Sequence, residues 1–122
     1  MAKILLVDDN AELLAMAALF LRRAEHVVTT AGDGKEVMHL VEDNAFDLVI
    51  TDLVMPEKEG IETIIELHRK MPALKILAIS GGGSIQGKDY LAAALDFGAA
   101  RTLAKPFSGI ELLAAVSDLL SE

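Results

Sequence analysis

The sequence lacks cysteine and tryptophan, and its aromatic residues are few: four phenylalanines and one tyrosine among 122 residues. Without cysteine the chain has no disulfide framework, no thiolate zinc site and no thiol nucleophile. Basic residues are also outnumbered, because 11 Lys+Arg stand against 19 Asp+Glu and the formal net charge is −8. A domain this acidic is a poor candidate for direct binding to nucleic-acid phosphates.

Long apolar runs are missing as well. The longest, Leu13–Leu21, is too short to span a bilayer, and the stretch Ile4–Val7 ends in acidic residues, unlike a signal peptide. Hydrophobic residues still make up 52% of the chain, so it should fold. We expect one domain over residues 1–122, cytoplasmic and without a membrane partner.

Short runs rich in Val and Ile alternate with longer segments of helical spacing. The runs predict five strands: Lys3–Val7, His26–Ala31, Phe46–Thr51, Lys75–Ser80 and Thr102–Ala104. The longer segments predict five helices: Ala11–Ala24, Lys35–Glu42, Ile61–Lys70, Asp89–Phe97 and Gly109–Leu120. This alternation is typical of βαβ units, so the predicted fold is α/β: a doubly wound parallel sheet with helices on both faces.

Local signals support several of the predicted helix ends. Asp33 and Ser108 each precede a glutamate by three residues, which is the capping-box pattern, and Asn10 can cap the first helix. Pro72 should stop the third helix, and Gly98 lies where the fourth should end.

Polar side chains follow four of the five predicted strands. Asp8 and Asp9 follow the first strand, Asp52 follows the third, Ser80 ends the fourth and Lys105 follows the fifth. In open α/β sheets, ligands bind outside the carboxyl ends of the strands. We therefore expect three carboxylates, a hydroxyl and an ammonium to converge on one edge of the sheet.

This set of groups suits phosphoryl transfer. Three neighbouring carboxylates repel one another, and a hard divalent cation such as Mg²⁺ relieves that repulsion. A carboxylate can also act as a nucleophile toward phosphorus. A metal ion, an ammonium and a hydroxyl can then neutralise the charged phosphoryl oxygens.

Four motifs lie in order along the chain and together resemble the receiver domain of two-component response regulators, of the stand-alone chemotaxis-regulator type. They are Val7-Asp8-Asp9, Thr51-Asp52-Leu53-Val54-Met55-Pro56 with Gly60, Ile79-Ser80, and Leu103-Ala104-Lys105-Pro106-Phe107. The resemblance covers the whole chain. It implies a flavodoxin-like sheet with strand order 2-1-3-4-5, and a signalling switch rather than a classical enzyme.

The resemblance also implies roles for individual residues. Asp52 would accept a phosphoryl group from a phosphohistidine, and Ser80 and Lys105 would each bind a phosphoryl oxygen. Asp9, Asp52 and the backbone carbonyl of Val54 would ligate Mg²⁺, and Asp8 would hold the ion through water. Lys105-Pro106 resembles the cis peptide of the family.

The implied partners are a histidine kinase or histidine phosphotransfer protein and a downstream protein target. Phosphoryl transfer and autodephosphorylation would be self-catalysed. The first helix carries a second apolar stripe, Leu13, Ala17 and Phe20, which is a candidate docking surface. On the last helix we expect Leu113, Val116 and Leu120 to face the sheet, which leaves Leu112, Ala115 and Leu119 on a flank. A homodimer stays open, as does the status of the C-terminus.

The sequence departs from the family pattern in two places. Thr102 stands where receivers usually carry Tyr or Phe, so the usual aromatic readout of phosphorylation is in doubt. The glycine run Gly81–Gly83 follows the fourth strand, and the spacing from Ser80 to Lys105 exceeds the usual family spacing. Two explanations fit the longer spacing. The extra residues are either a tolerated loop insertion without function or a flexible loop next to the phosphoryl group.

Two alternatives to a phosphoacceptor switch remain. The first is a pseudo-receiver, which keeps the fold as an interaction module without phosphorylation. The second is nucleotide binding through Gly82–Lys88, which nearly matches a P-loop but continues with Asp89 instead of Ser or Thr.

Overall fold

Strands and helices alternate along the chain in the computed structural model, which describes residues 2–53, 60–81 and 92–121. The strands are β1 (Lys3–Val7), β2 (Val27–Ala31), β3 (Leu48–Asp52), β4 (Lys75–Gly81) and β5 (Arg101–Lys105). The helices are α1 (Ala11–Arg23), α2 (Lys35–Asp43), α3 (Gly60–Lys70), α4 (residues 92–97 in the described part) and α5 (Gly109–Leu120).

The five strands form one parallel sheet in the order β2-β1-β3-β4-β5. The predicted fold class and strand order are confirmed. One apolar cluster packs α1 and α5 against the first face of the sheet, and a second packs α2, α3 and α4 against the other. Every residue of β3 is buried, as expected for a central strand covered on both faces.

The structure adjusts the predicted ends of four strands. β2 begins at Val27 rather than at His26, and β4 ends at Gly81 rather than at Ser80. β3 begins at Leu48 rather than at Phe46 and ends at Asp52 rather than at Thr51. Just before it, the Asp47 amide donates to the Lys3 carbonyl at 2.8 Å, and the Asp47 carboxylate accepts from the Lys3 amide at 2.8 Å. β5 extends one residue beyond the prediction at each end, since Arg101 and Lys105 both pair with β4.

The predicted helix ends agree well with the structure. The side chain of Asn10 accepts from the amides of Glu12 and Leu13, and Ser108 forms a reciprocal capping box with Glu111. Asp33 accepts from the first two amides of α2. Gly98 follows α4 at φ +125°, a backbone conformation that favours glycine.

Two predictions about helix faces are wrong. The apolar stripe proposed for docking on α1 is covered, because Ala17 is buried and the ring of Phe20 lies against Gly109 of α5. On α5, Leu112 rather than Leu113 faces the core, so the helix is rotated from the predicted position. A helix that is apolar on two flanks does not specify its rotation by pattern alone.

Each described helix is too short or too polar to cross a membrane.

Candidate functional site

Three carboxylates meet at the carboxyl edge of the sheet. Asp8 and Asp9 follow β1, and Asp52 is the last residue of the adjacent strand β3. The register pairs Val7 with Thr51, which brings Asp8 beside Asp52. One carboxylate oxygen from each of the three aspartates lies within 4.8 Å of the others. Asp8 and Asp52 are buried, whereas Asp9 is exposed and open to solvent.

Backbone amides hold one oxygen of each buried carboxylate. The amide of Asn10 donates to Oδ1 of Asp8 at 2.9 Å, and the amide of Leu53 donates to Oδ1 of Asp52 at 2.8 Å. These bonds fix the orientation of both side chains. These two donors could not be predicted from the sequence, because any non-proline residue supplies a backbone amide.

Lys105 brings a positive charge to the same edge of the sheet. Its Nζ lies 2.8 Å from Oδ2 of Asp8 and 3.3 Å from Oδ2 of Asp52. Burial by itself would lower the pKa of Lys105, but its close contacts with Asp8 and Asp52 outweigh that effect and raise its pKa. The ammonium is therefore firmly protonated. The Lys105-Pro106 peptide bond is cis, as the family resemblance implied.

The site fits a hard divalent cation. Among the described residues, three carboxylates meet at this edge together with the ammonium of Lys105. Oδ2 of Asp8 is buried and lies 2.8 Å from the Lys105 ammonium, with which it forms an ion pair. Carboxylate oxygens are the ligands that Mg²⁺ prefers, and an exposed residue such as Asp9 leaves room for its waters.

Ser80 joins the same edge through the register of the sheet. It is 2% exposed and pairs with Ala104, the residue before Lys105. Thr102 lies near the start of β5, away from the carboxyl edge of the sheet. It is half-buried and pairs with Ala78. The sheet thus brings together five residues at the carboxyl ends of its strands, as predicted from their positions in the sequence: Asp8, Asp9, Asp52, Ser80 and Lys105.

Two further predictions lie outside the described residues. These are the metal-binding carbonyl of Val54 and the nucleotide-binding segment Gly82–Lys88, together with Asp89. The three histidines take no part in the carboxylate site: His26 lies before β2, His39 on α2 and His68 on α3.

A family comparison agrees with this geometry. The family model described as the response regulator receiver domain matches residues 4–117. The chain belongs to the response regulator receiver family. The receiver fold follows from this membership, as does a phosphoacceptor role in signalling rather than that of a classical enzyme.

Curated relatives of this receiver are longer proteins. Transcriptional regulatory protein CpxR of Klebsiella pneumoniae is 34% identical over 120 residues, which cover 98% of this chain and 50% of CpxR. Transcriptional regulatory protein TcrA of Mycobacterium tuberculosis is 31% identical over 117 residues, which cover 96% of this chain and 45% of TcrA. The chain therefore spans about half the length of these relatives.

Solved structures of similar length share the receiver fold. Chemotaxis response regulator CheY4 of Vibrio cholerae superposes with a TM-score of 0.85 at 30% identity, with 98% of each chain covered. The receiver domain of the Francisella response regulator 1452 superposes with a TM-score of 0.89 at 26% identity. The superposition covers 99% of this chain and 98% of the Francisella chain.

Proposed function

We propose that this receiver is a Mg²⁺-dependent phosphoacceptor switch, and that Asp52 accepts a phosphoryl group from a phosphohistidine on a histidine kinase or histidine phosphotransfer protein. One observation carries the proposal: the carboxylates of Asp8, Asp9 and Asp52 meet at one edge of the sheet, where Lys105 Nζ lies 3.3 Å from Oδ2 of Asp52. We treat residues 1–122 as one receiver unit.

The proposed metal ligands come from the carboxylate set. Asp9 and Asp52 would hold Mg²⁺ together with the backbone carbonyl of Val54, which lies outside the described residues, and Asp8 would hold it through water. When bound, Mg²⁺ supplies positive charge that offsets the repulsion between the carboxylates and the incoming phosphoryl oxygens.

The transfer exchanges one bond to phosphorus for another. A carboxylate oxygen of Asp52 attacks phosphorus, and the new O–P bond forms as the N–P bond to the partner histidine breaks. The bonding electron pair remains on the histidine nitrogen. The Lys105 ammonium and the Ser80 hydroxyl each bind a phosphoryl oxygen, which neutralises charge and fixes the line of attack. Autodephosphorylation follows when water attacks phosphorus and Asp52 leaves as a carboxylate.

The phosphoryl group then biases a conformational equilibrium. The phosphorylated side chain carries a charge of about −1.5 to −2 where the Asp52 carboxylate carried a single negative charge, so negative charge increases beside Lys105 and Ser80. These two residues contact the phosphoryl group only in the phosphorylated state. The contacts stabilise the conformer in which they are strongest, so the equilibrium shifts toward that conformer. Thr102 has no ring to reorient, so we assign the readout to backbone and helix shifts around Ser80. The output is contact with a protein target or relay of the phosphoryl group onward.

Intact-protein mass spectrometry tests the proposal directly. The receiver is incubated with acetyl phosphate, and separately with a phosphorylated histidine phosphotransfer protein, each with and without Mg²⁺. We expect the mass of one phosphoryl group to appear only with Mg²⁺, in the wild type and in the control Asp43→Asn, whose aspartate lies at the end of α2. Asp52→Asn should stay unmodified.

Two outcomes would contradict the proposal. Labelling of Asp52→Asn at the wild-type level would place the phosphoacceptor elsewhere. An unmodified wild type with both donors would favour a pseudo-receiver that keeps the fold without the chemistry.

A further inference from the structure

A cavity of about 920 Å³, the amino-edge cavity, opens at the amino ends of the strands, at the opposite edge of the sheet from the carboxylate site. Its walls come from the residues just before β1 and β2, the turn that joins α2 to β3, the turn that joins α3 to β4, and the end of α5. A concave site of this volume can hold a small ligand or a short stretch of a partner chain.

Partly exposed apolar side chains form one part of the wall. Phe46, Met71 and Leu74 pack against the core cluster on the α2 and α3 side of the sheet, and Leu120 packs against the cluster on the other side. All four line the cavity and are half-buried. A partner that inserts a large apolar group here removes this surface from water, which is favourable.

Acidic side chains form another part of the wall. Glu42, Asp43 and Asp47 line the cavity and are exposed. Among the described lining residues they meet the ammonium of Lys75, which donates to a backbone carbonyl of α5. His26 also lines the cavity and adds little positive charge at pH 7, because burial lowers its pKa below 6.5. The lining therefore attracts a cation.

The end of α2 strengthens that attraction. Glu42 and Asp43 belong to the last turn of this helix, which contains no basic residue. A helix C-terminus already carries partial negative charge, so a cation is favourable there and a carboxylate is not. Lys70 on α3 lies 3.8 Å from Glu42, but both side chains are about half exposed, and such a pair contributes little. A cation bound in the cavity would relieve the remaining repulsion.

We propose that the amino-edge cavity binds a basic segment of a partner protein. The segment places a lysine or arginine side chain against Glu42 and Asp43, and a large apolar side chain against Phe46 and Leu74. It occupies the edge of the sheet that lies farthest from Asp52, so the phosphoacceptor site stays open. The inference is therefore independent of the proposed function.

Charge complementarity selects this occupant over a second copy of the chain. The receiver has a formal net charge of −8, so two copies repel each other, whereas a basic segment is attracted to the same surface. The apolar part of the wall adds a second requirement, because a purely polar cation would leave it in contact with water.

An NMR titration of the isotopically labelled wild type tests the inference. The probe is a pentapeptide with blocked ends in which lysine alternates with leucine. We expect saturable shifts of the amide signals of Ala45, Asp47 and Leu74 in the cavity, while the amides of Asn10 and Leu53 beside the carboxylate site stay fixed. A pentapeptide with alanine in place of leucine should bind at least about threefold more weakly, because it buries less apolar surface.

Two double variants separate the cavity from the general acidity of the chain. Glu42→Gln with Asp43→Asn removes two charges at the end of α2, and should weaken binding of the lysine–leucine peptide about three- to tenfold. The matched control is Asp33→Asn with Glu36→Gln, which removes two charges at the start of the same helix. It should bind the peptide with wild-type affinity.

Several outcomes would overturn the inference. Equal weakening in both double variants would reduce the attraction to net charge, and equal binding of the two peptides would remove the role of the apolar wall. Shifts at Asn10 and Leu53 without shifts at the cavity would place the peptide at the carboxylate site. A receiver dimer that Glu42→Gln with Asp43→Asn dissociates in sedimentation would assign the cavity to a second copy. None of these outcomes bears on phosphorylation of Asp52.

Discussion

Gly109, the first residue of α5, lies directly against the ring of Phe20 on α1. A Cβ atom built on Gly109 would lie 2.5 Å from Cε1 of that ring, closer than any real contact allows. The glycine therefore sets how closely α5 approaches α1. In the chain, α5 begins shortly after the cis Lys105-Pro106 peptide bond.

Gly109→Ala should destabilise the fold. The added methyl group must displace the Phe20 ring, and overpacking of this kind costs about 1–3 kcal/mol, more than alanine gains from its helix propensity. Urea unfolding checks this value, with Gly32→Ala as the control, since a Cβ on Gly32 would meet nothing within 4 Å. Equal stability of the two variants would show that Phe20 moves aside freely.

Glu25 occupies a backbone conformation that favours glycine. It follows α1 at φ +71°, in the left-handed region. Glu25→Gly should therefore raise the free energy of unfolding by up to about 1 kcal/mol, after the added freedom of the unfolded chain is counted. Glu25→Ala is the control, because it removes the charge but keeps Cβ. A gain of the same size in Glu25→Ala would assign the effect to charge instead of backbone strain.

Asp8→Asn should weaken metal binding without loss of the fold. The amide oxygen of asparagine can still accept from the Asn10 amide, but it brings no negative charge to the site. We expect the affinity for Mg²⁺ to fall at least about tenfold, as measured by calorimetry, since hard cations depend on ligand charge. Asp33→Asn, an aspartate that follows β2 and caps α2, should bind the metal as the wild type does.

Acidification should destabilise the receiver through His26. Burial, and then the positive charge of the amino terminus, lower the pKa of His26 from its ordinary value of 6.5. The neutral ring is also the form that accepts from the Ala2 amide at 3.2 Å through Nδ1. The unfolded chain therefore binds a proton more readily than the folded one. The free energy of unfolding should fall as the pH drops below 6.5 and level off below the folded pKa.

The His26→Gln variant isolates this effect. Glutamine does not titrate, so the variant should lose the part of the pH dependence that lies between the folded and unfolded pKa values of His26. The hydrogen bond at stake is worth about 1 kcal/mol. His39→Gln, on the exposed face of α2, should keep the wild-type profile. An unchanged slope in His26→Gln, as urea midpoints between pH 5 and 7.5 would reveal, would contradict the prediction.

Much of the site could be predicted because its signals are local. Asp52 ends a buried strand that begins Leu-Val-Ile, and Asp8 and Asp9 follow another strand. The rule that ligands bind at the carboxyl ends of parallel strands was therefore enough to bring them together. The caps at Asn10 and Ser108 also involve residues only two or three positions apart. Such patterns act through the backbone of one turn, which the sequence specifies directly.

The remaining features depend on contacts between distant parts of the chain. Lys105 Nζ lies 0.5 Å closer to Oδ2 of Asp8 than to Oδ2 of Asp52 (2.8 against 3.3 Å). This difference depends on how β5 lies relative to β1 and β3. The rotation of α5, which buries Leu112 instead of Leu113, depends likewise on packing against α1.

The sequence by itself determined the order of strands and helices, most helix ends and which polar side chains gather at the edge of the sheet. Only the tertiary structure decided which face of α5 is buried, how Phe20 is covered and which carboxylate holds the Lys105 ammonium. The physical reason is that periodicity and capping act over a few residues. Packing and ion pairing select between arrangements whose local energies are nearly equal. That selection occurs only when the strands and helices come into contact.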